Sequence, residues 1–317
     1  MRRNTIPSHR NAILLIIAAT VLWSSTGFSV RQLTIKNGYE ITFWRSMFSA
    51  LFVAILLLRQ PLKTTFKTIH KAGKTGMISA VMWGTNFSCF TIALSMTTIA
   101  NVLIICGLSS LFTGLFAWLF LKQSIKLSTW IAIVVASIGI IAMFFSDLSL
   151  ISNSKQFIGV IIALIIPLAM SINYIALQKS DSQVDLIPSV MLGCIFSSIA
   201  MLPLVWPIHI NTHDLLIAGS LGMFQLGLPA VMTVIAARKL SAPEISLWSL
   251  IEIVLGFLWG WLGSGETPST KTIIGGTLVL IALAFNEMAA ICQKRQISHS
   301  AADNPPLHSP TLLKTEV

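Results

Sequence analysis

Charge is the scarcest commodity in this sequence. Charged residues make up 10% of 317 residues, while hydrophobic residues make up 55%. A soluble globular domain carries about 25% charged residues. So few charges cannot cover a water-facing surface, which excludes an ordinary soluble domain and calls for a bilayer as solvent. Mean hydropathy is +0.82. Cysteine is also scarce. Cys89, Cys106, Cys194 and Cys292 contain no Cys-x-x-Cys pair and all fall in or at the end of apolar runs. That excludes a disulfide framework and a cysteine zinc site. The six histidines and five aspartates all lie in loops or at the ends of apolar runs. An intramembrane Ser-His dyad, Asp-Asp pair or His-Glu-x-x-His site therefore cannot be assembled. His209 and His213 are spaced i, i+4 but lack a third ligand. No Walker loop is present, so the chain does not hydrolyse ATP itself. These absences read as no enzyme, no metal and no cofactor.

What is present is a series of apolar runs. A helix needs about 20 apolar residues to cross the hydrocarbon core. Runs near that length lie at 11–31, 39–58, 75–96, 99–121, 127–146, 156–178, 186–206, 215–236, 243–263 and 272–292. Residues 75–121 are uncharged and too long for one crossing. They fit two, with a turn near Thr97 and Thr98. The first run follows Arg2, Arg3, His9 and Arg10 and is too long for a typical cleaved signal core. It is expected to be a retained span.

Net charge is +10, and its placement sets topology rather than nucleic-acid binding. Of 21 Lys and Arg, Arg45 lies inside a run, and Arg31, Lys36, Lys155 and Lys271 fall in alternate gaps. The other sixteen fall in the gaps that share a side with the N-terminus. By the positive-inside rule both termini are cytoplasmic, and the count of spans is even. The expectation is a multi-pass protein of the cytoplasmic (inner) membrane. Residues 1–10 form a cytoplasmic N-terminus. Residues 296–317, polar and Pro-containing, form a disordered cytoplasmic tail.

The chain repeats itself. Aligning Trp118 with Trp261, an offset of 143, also pairs Ala117 with Gly260, Gln123 with Glu266, Ala132 with Gly275, and Asn101 with Glu244. STGFSVRQ at 25–32 matches SINYIALQ at 171–178 more loosely. The expected fold is thus an all-α membrane protein of about ten transmembrane helices. Repeats at 11–146 and 156–292 hold five helices each. Five is odd, so the second repeat is inserted in the opposite sense, the inverted design of secondary transporters. Such halves place a binding site near the midplane.

Several segments carry a family likeness. They are LWSSTGF at 22–28, Arg45 within FWRSMF, the Trp-containing runs at 108–139 and 250–282, and Glu252. Together they resemble the EamA family of the drug/metabolite transporter superfamily, over about residues 11–292. Ile253 and Ser110 stand where that family often has Pro, and Lys122-Gln123 replaces Gly-Glu, which Gly265-Glu266 keeps. Without those prolines the family's helix kinks lose their usual cause. The resemblance implies transport of amino acids, nucleotide-sugars or other metabolites.

Charges within a bilayer are costly and mark functional candidates. Arg45 lies about 9 Å below the outer end of its run, at ~1.5 Å per residue. It reads as an anchor for a carboxylate or phosphate on the substrate, or as a structural ion pair or carbonyl clamp between helices. Glu252, mid-run, reads as a proton or amine site or as a neutral hydrogen-bonded carboxyl. Glu244 belongs to a capping-box pattern, Ser241-Ala-Pro-Glu244, with an inner gate as its minor reading. Cavity candidates among uncharged residues are Trp23, Ser24, Trp83, Asn86, Asn101, Asn173, Tyr174, Gln225 and Trp248. Gly256 and Gly260 permit close helix contact within one chain or, less readily, between two. The resulting reading is a secondary transporter of a small polar metabolite, an amino acid or a related compound, working by alternating access. Its partners are the lipid bilayer, the small-molecule substrate and, if coupled, protons. It acts as a monomer or homodimer. A non-transporting scaffold is the rival, but it predicts a conspicuous docking segment, whereas the longest polar gap, 59–74, is short.

Overall fold

The computed structural model describes residues 7–35, 37–58, 62–97, 99–122, 126–148, 154–180, 184–207 and 210–264, with a few further helical positions between 274 and 285. The described residues are helical with short connections. In chain order the helices are α1 (His9–Ser24), α2 (Thr26–Arg31), α3 (Gly38–Leu57), α4 (Leu62–Met96), α5 (Ile99–Gly107), α6 (Ser109–Leu121), α7 (Leu127–Leu148), α8 (Ser154–Lys179), α9 (Ile187–Val205) and α10 (Thr212–Ser220). A π-helix, Leu221–Gly227, follows, then α11 (Leu228–Ala237), α12 (Ala242–Ser249) and α13 (Ile251–Ser264).

Helix starts follow from local chemistry. The side chains of Ser8, Asn37 and Asn211 accept backbone N–H bonds from Asn11, Tyr39 and Asp214. Ser241 and Glu244 form the expected capping box. Seven described stretches are long and apolar enough to cross a membrane: 9–30, 38–57, 70–96, 101–121, 154–179, 187–205 and 212–237. The protein is an all-helical, multi-pass membrane protein. The ninth expected run appears as α12 and α13 end to end. The fifth lies in α7, whose Leu127–Gly139 part is a shorter apolar helix. Most of the tenth, the tail, Gln123, His209 and Glu266 lie outside the described residues.

Two features depart from expectation. The polar stretch after residue 61 is no loop but the start of α4, which kinks at Gly73, whose φ is 52°. That is a left-handed conformation open mainly to glycine. The fourth and ninth runs are both interrupted, although neither carries the family's proline there. The breaks fall at Leu108 and Leu250, 142 residues apart and so within one residue of the repeat offset. Tight i to i−3 bonds close each: Leu108 N–H to Ile105 C=O at 3.1 Å, and Leu250 N–H to Leu247 C=O at 3.0 Å. Hydroxyls take over the carbonyls nearby. Ser110 donates to Gly107, Thr113 to Ser109, Ser246 to Pro243 and Ser249 to Ile245. Such back-bonding bends apolar helices without proline.

Helix pairings come in exchanged sets. α4 packs on α8 and α9, and the α10–π–α11 span packs on α1 and α3. α5 and α6 pack on α8, while α12 and α13 pack on α1. α3 and α9, second in each half, pack on one another. Lipid supplies no hydrophobic drive between helices, so small residues and hydrogen bonds hold them together. Ser197 bonds Ser46 at 2.9 Å and Ser88 at 2.8 Å, and the Cys194 thiol donates to Ser49 at 3.2 Å. Gly84 and Gly193 let α4 and α9 touch: a Cβ on Gly193 would lie 2.7 Å from the Ala80 carbonyl oxygen. Large apolar side chains such as Leu51, Ile55, Ile138, Phe157 and Ile199 remain exposed, as a lipid-facing surface requires. Gly256 packs on Leu103 and the Ser24 carbonyl within the chain.

Candidate functional site

A cavity of about 70 Å³ lies between α1–α2, α3, α4, α5–α6, α8, the π-helix and α12–α13. Its lining includes Trp23, Thr26, Arg45, Asn86, Thr91, Ser109, Tyr174, Ser249 and Glu252. Phe87, Phe90, Ile166, Met170, Leu226, Leu250 and Ile253 supply an apolar wall. The two charged candidates, one from each half, therefore share one space.

Arg45 is 2% exposed. Its Nη1 donates to Thr91 Oγ1 at 3.2 Å, its Nε has no partner, and it forms no ion pair among the described residues. A buried guanidinium lacking both carboxylate and bidentate partner retains unused donors. The π-helix bears on it from behind: a Cβ on Gly222 would lie 2.4 Å from the Arg45 carbonyl oxygen. π-turns inside helices recur at functional sites.

Glu252 is half-buried and sits in the first turn of α13 because the chain breaks at Leu250. A carboxylate is favoured at that end of the helix dipole. The sequence places it in mid-span, and the break turns that position into a helix start. Tyr174 OH and Ser249 Oγ lie 3.2 Å apart at the end of the cavity nearest the start of α12. Asn86 Oδ1 is buried without a partner. Thr113 bonds Ser171, which donates to the Ser109 carbonyl, tying α8 to the break in the fourth span.

Of the sequence candidates, Trp23, Arg45, Asn86, Tyr174 and Glu252 thus line the cavity. The others lie off it. Trp83 is fully buried and stacks on Phe87 at 5.2 Å. Asn173 accepts from Ser79 at 2.7 Å, and Asn101 donates to Thr97 at 3.0 Å. Gln225, in the π-helix, donates to Ser25 at 2.7 Å and Ser29 at 3.3 Å, holding the break between α1 and α2. Ser24 accepts from Trp259 at 2.9 Å. Trp248 packs against the core. Glu244 serves the α12 cap and meets His9 Nε2 at 3.3 Å. Thr26, Thr91, Ser109 and Ser249 join the lining without having been singled out. Ser109 and Ser249 flank the two breaks, so the repeat was the signal that could have found them.

The sequence model of the EamA-like transporter family matches twice, over residues 10–145 and 157–288. A protein named Pseudopaline exporter CntI from Pseudomonas aeruginosa is 22% identical over 279 residues, covering 86% of this chain and 94% of its own. A protein of Clostridium kluyveri described as an uncharacterized transporter is 23% identical over 293 residues, covering 87% of this chain and 93% of its own. A protein of known crystal structure superposes with a TM-score of 0.70 over 90% of this chain and 99% of its own, at 15% identity. That likeness concerns the fold.

Proposed function

The chain belongs to the EamA-like transporter family, and from that premise we propose that it is a secondary transporter of a small polar metabolite, an amino acid or related compound, working by alternating access. The observation that carries this is the cavity that Arg45 and Glu252 line together without pairing to each other. An unpaired guanidinium suits a carboxylate, and a carboxyl across the same space suits an ammonium or a proton. A ligand holding both charges satisfies both walls, while the aromatic and aliphatic side chains accept its apolar body.

The mechanism uses the two halves. Residues 11–146 and 156–292 form the repeats, each of five spans and opposite in sense. The exchanged helix pairings support two near-equivalent arrangements, one open to each side. Both termini are cytoplasmic in this reading, and the membrane is the cytoplasmic one. Glu252 carries the proton if transport is coupled. The described lining of the cavity comes from one chain, so a monomer suffices in this reading. Export is the direction we propose, in line with the relative named as an exporter.

Purified protein in proteoliposomes, offered a pooled mixture of labelled amino acids and metabolites with and without a proton gradient, tests this. Gradient-driven accumulation of a zwitterionic compound supports coupled transport, and equilibration alone supports uncoupled exchange. No movement of any carboxylate compound counts against the proposal.

A further inference from the structure

A second cavity, about 340 Å³, lies between the end of α8, the start of α9, the end of α11 and the start of α12. Leu177, Gln178, Ser180, Arg238, Lys239 and Glu244 are among its lining. By the charge bias along the chain, this end of the bundle faces the cytoplasm.

Its position relative to the central cavity is informative. On α8, Met170 and Tyr174 line the central cavity, and Leu177 and Gln178 line the second. On α12, Ser249 lines the first, and Glu244 lines the second. At ~1.5 Å rise per residue, the two spaces are about 5 Å apart along α8 and about 8 Å apart along α12. Only one layer of side chains separates them. That layer holds the Tyr174–Ser249 hydroxyl contact at 3.2 Å and the buried Ile245.

The lining holds two cations, Arg238 and Lys239, and one acid, Glu244. Glu244, and Asp185 beside Arg238, are held by fixed partners. Asp185 accepts from Arg238 Nη2 at 2.8 Å and from the Ile187 N–H at 3.0 Å. Glu244 accepts from the Ser241 N–H at 2.8 Å and its hydroxyl at 2.9 Å, and meets His9. Arg238 Nε is buried without a partner, and Lys239 has no ion pair among the described residues. Arg238 and Lys239 thus keep donor capacity at this cavity.

We propose that this cavity is a cytoplasmic vestibule of the transport path, where Arg238 and Lys239 receive the anionic end of the substrate before or after it crosses the Tyr174–Ser249 layer. The proposal rests on the transport reading, yet its test needs no substrate. Cys106 lines the central cavity and serves as the reporter. In a Cys89→Ser, Cys194→Ser, Cys292→Ser background, its modification by a sulfonate-bearing methanethiosulfonate is timed from each face of oriented vesicles. The trimethylammonium reagent gives the comparison.

Ser180→Trp, which fills the vestibule, is expected to bring cytoplasmic-side modification down to background and leave the outer-side rate unchanged. Lys239→Gln, at an exposed position, is expected to lower the anion-to-cation rate ratio from the cytoplasmic side about fivefold, the Coulomb effect of one charge about 8 Å away in water. Val184→Trp repeats the blockade if Ser180→Trp folds poorly. Cytoplasmic-side rates unchanged in both Trp variants would remove the cavity from the path. An unchanged charge ratio in Lys239→Gln would remove its anion-receiving role. Either result stands whether or not any metabolite is moved, so this inference and the transport reading fail separately.

Discussion

Arg45 and Thr91 meet at 3.2 Å across the second and third spans, and that hydroxyl is the sole side-chain partner, among the described residues, of a guanidinium that is 2% exposed. Its Nε is buried without a partner beside the cavity that Arg45 lines, so a partner is expected to arrive with the substrate.

Arg45→Ala therefore removes the carboxylate anchor. A hydrogen bond to a charged group is worth about 1.5–3 kcal/mol, so apparent affinity for a carboxylate substrate should fall roughly 10- to 100-fold. Arg45→Lys keeps the charge but loses the fork and should recover only part of this. Concentration-dependent uptake measures both.

Thr91→Val deletes the acceptor that aims the guanidinium. A net loss of about 1 kcal/mol corresponds to a roughly fivefold rise in KM with maximal rate preserved. Thr91→Ser should restore the wild-type value. A purely steric role for Thr91 would show the opposite order, with Val closer to wild type than Ser.

Glu252→Gln keeps the shape and hydrogen-bonding capacity of the side chain and removes its proton chemistry. Substrate should still equilibrate across the membrane, but an imposed proton gradient should no longer drive accumulation. A variant that accumulates substrate with an unchanged pH profile would show that Glu252 does not carry the coupling proton.

Gly193→Ala places a Cβ 2.7 Å from both the Ala80 carbonyl oxygen and the Trp83 Cβ. Neither can move without separating α4 from α9. Overpacking of this kind costs about 1–3 kcal/mol, which thermal unfolding in detergent should show as a lower midpoint.

Much of the fold was legible because hydropathy reports directly on the solvent a helix needs. The apolar runs, the turn near Thr97 and the capping box at Ser241 are all local properties. Arg45 and Glu252 were legible for the same reason, since a charge within an apolar run stands out. The breaks at Leu108 and Leu250 were not. They arise from hydroxyls bonding to carbonyls in the preceding turn, and a serine in an apolar run can do that without breaking the helix. Thr91 was hidden likewise, because only packing brings it to Arg45. Asn173 and Gln225 show the converse. Buried amides need partners, and Ser79, Ser25 and Ser29 supply them to Asn173 Oδ1 and Gln225 Nε2 from neighbouring helices rather than from the cavity, while Asn173 Nδ2 and Gln225 Oε1 have none among the described residues.

The most direct test of the central claim is counterflow of a labelled amino-acid mixture into proteoliposomes holding wild-type protein or Arg45→Ala, both verified as folded. The expected result is carboxylate-dependent exchange in the wild type, weakened roughly 10- to 100-fold in apparent affinity in the variant. Equal exchange in the two would contradict a carboxylate site at Arg45.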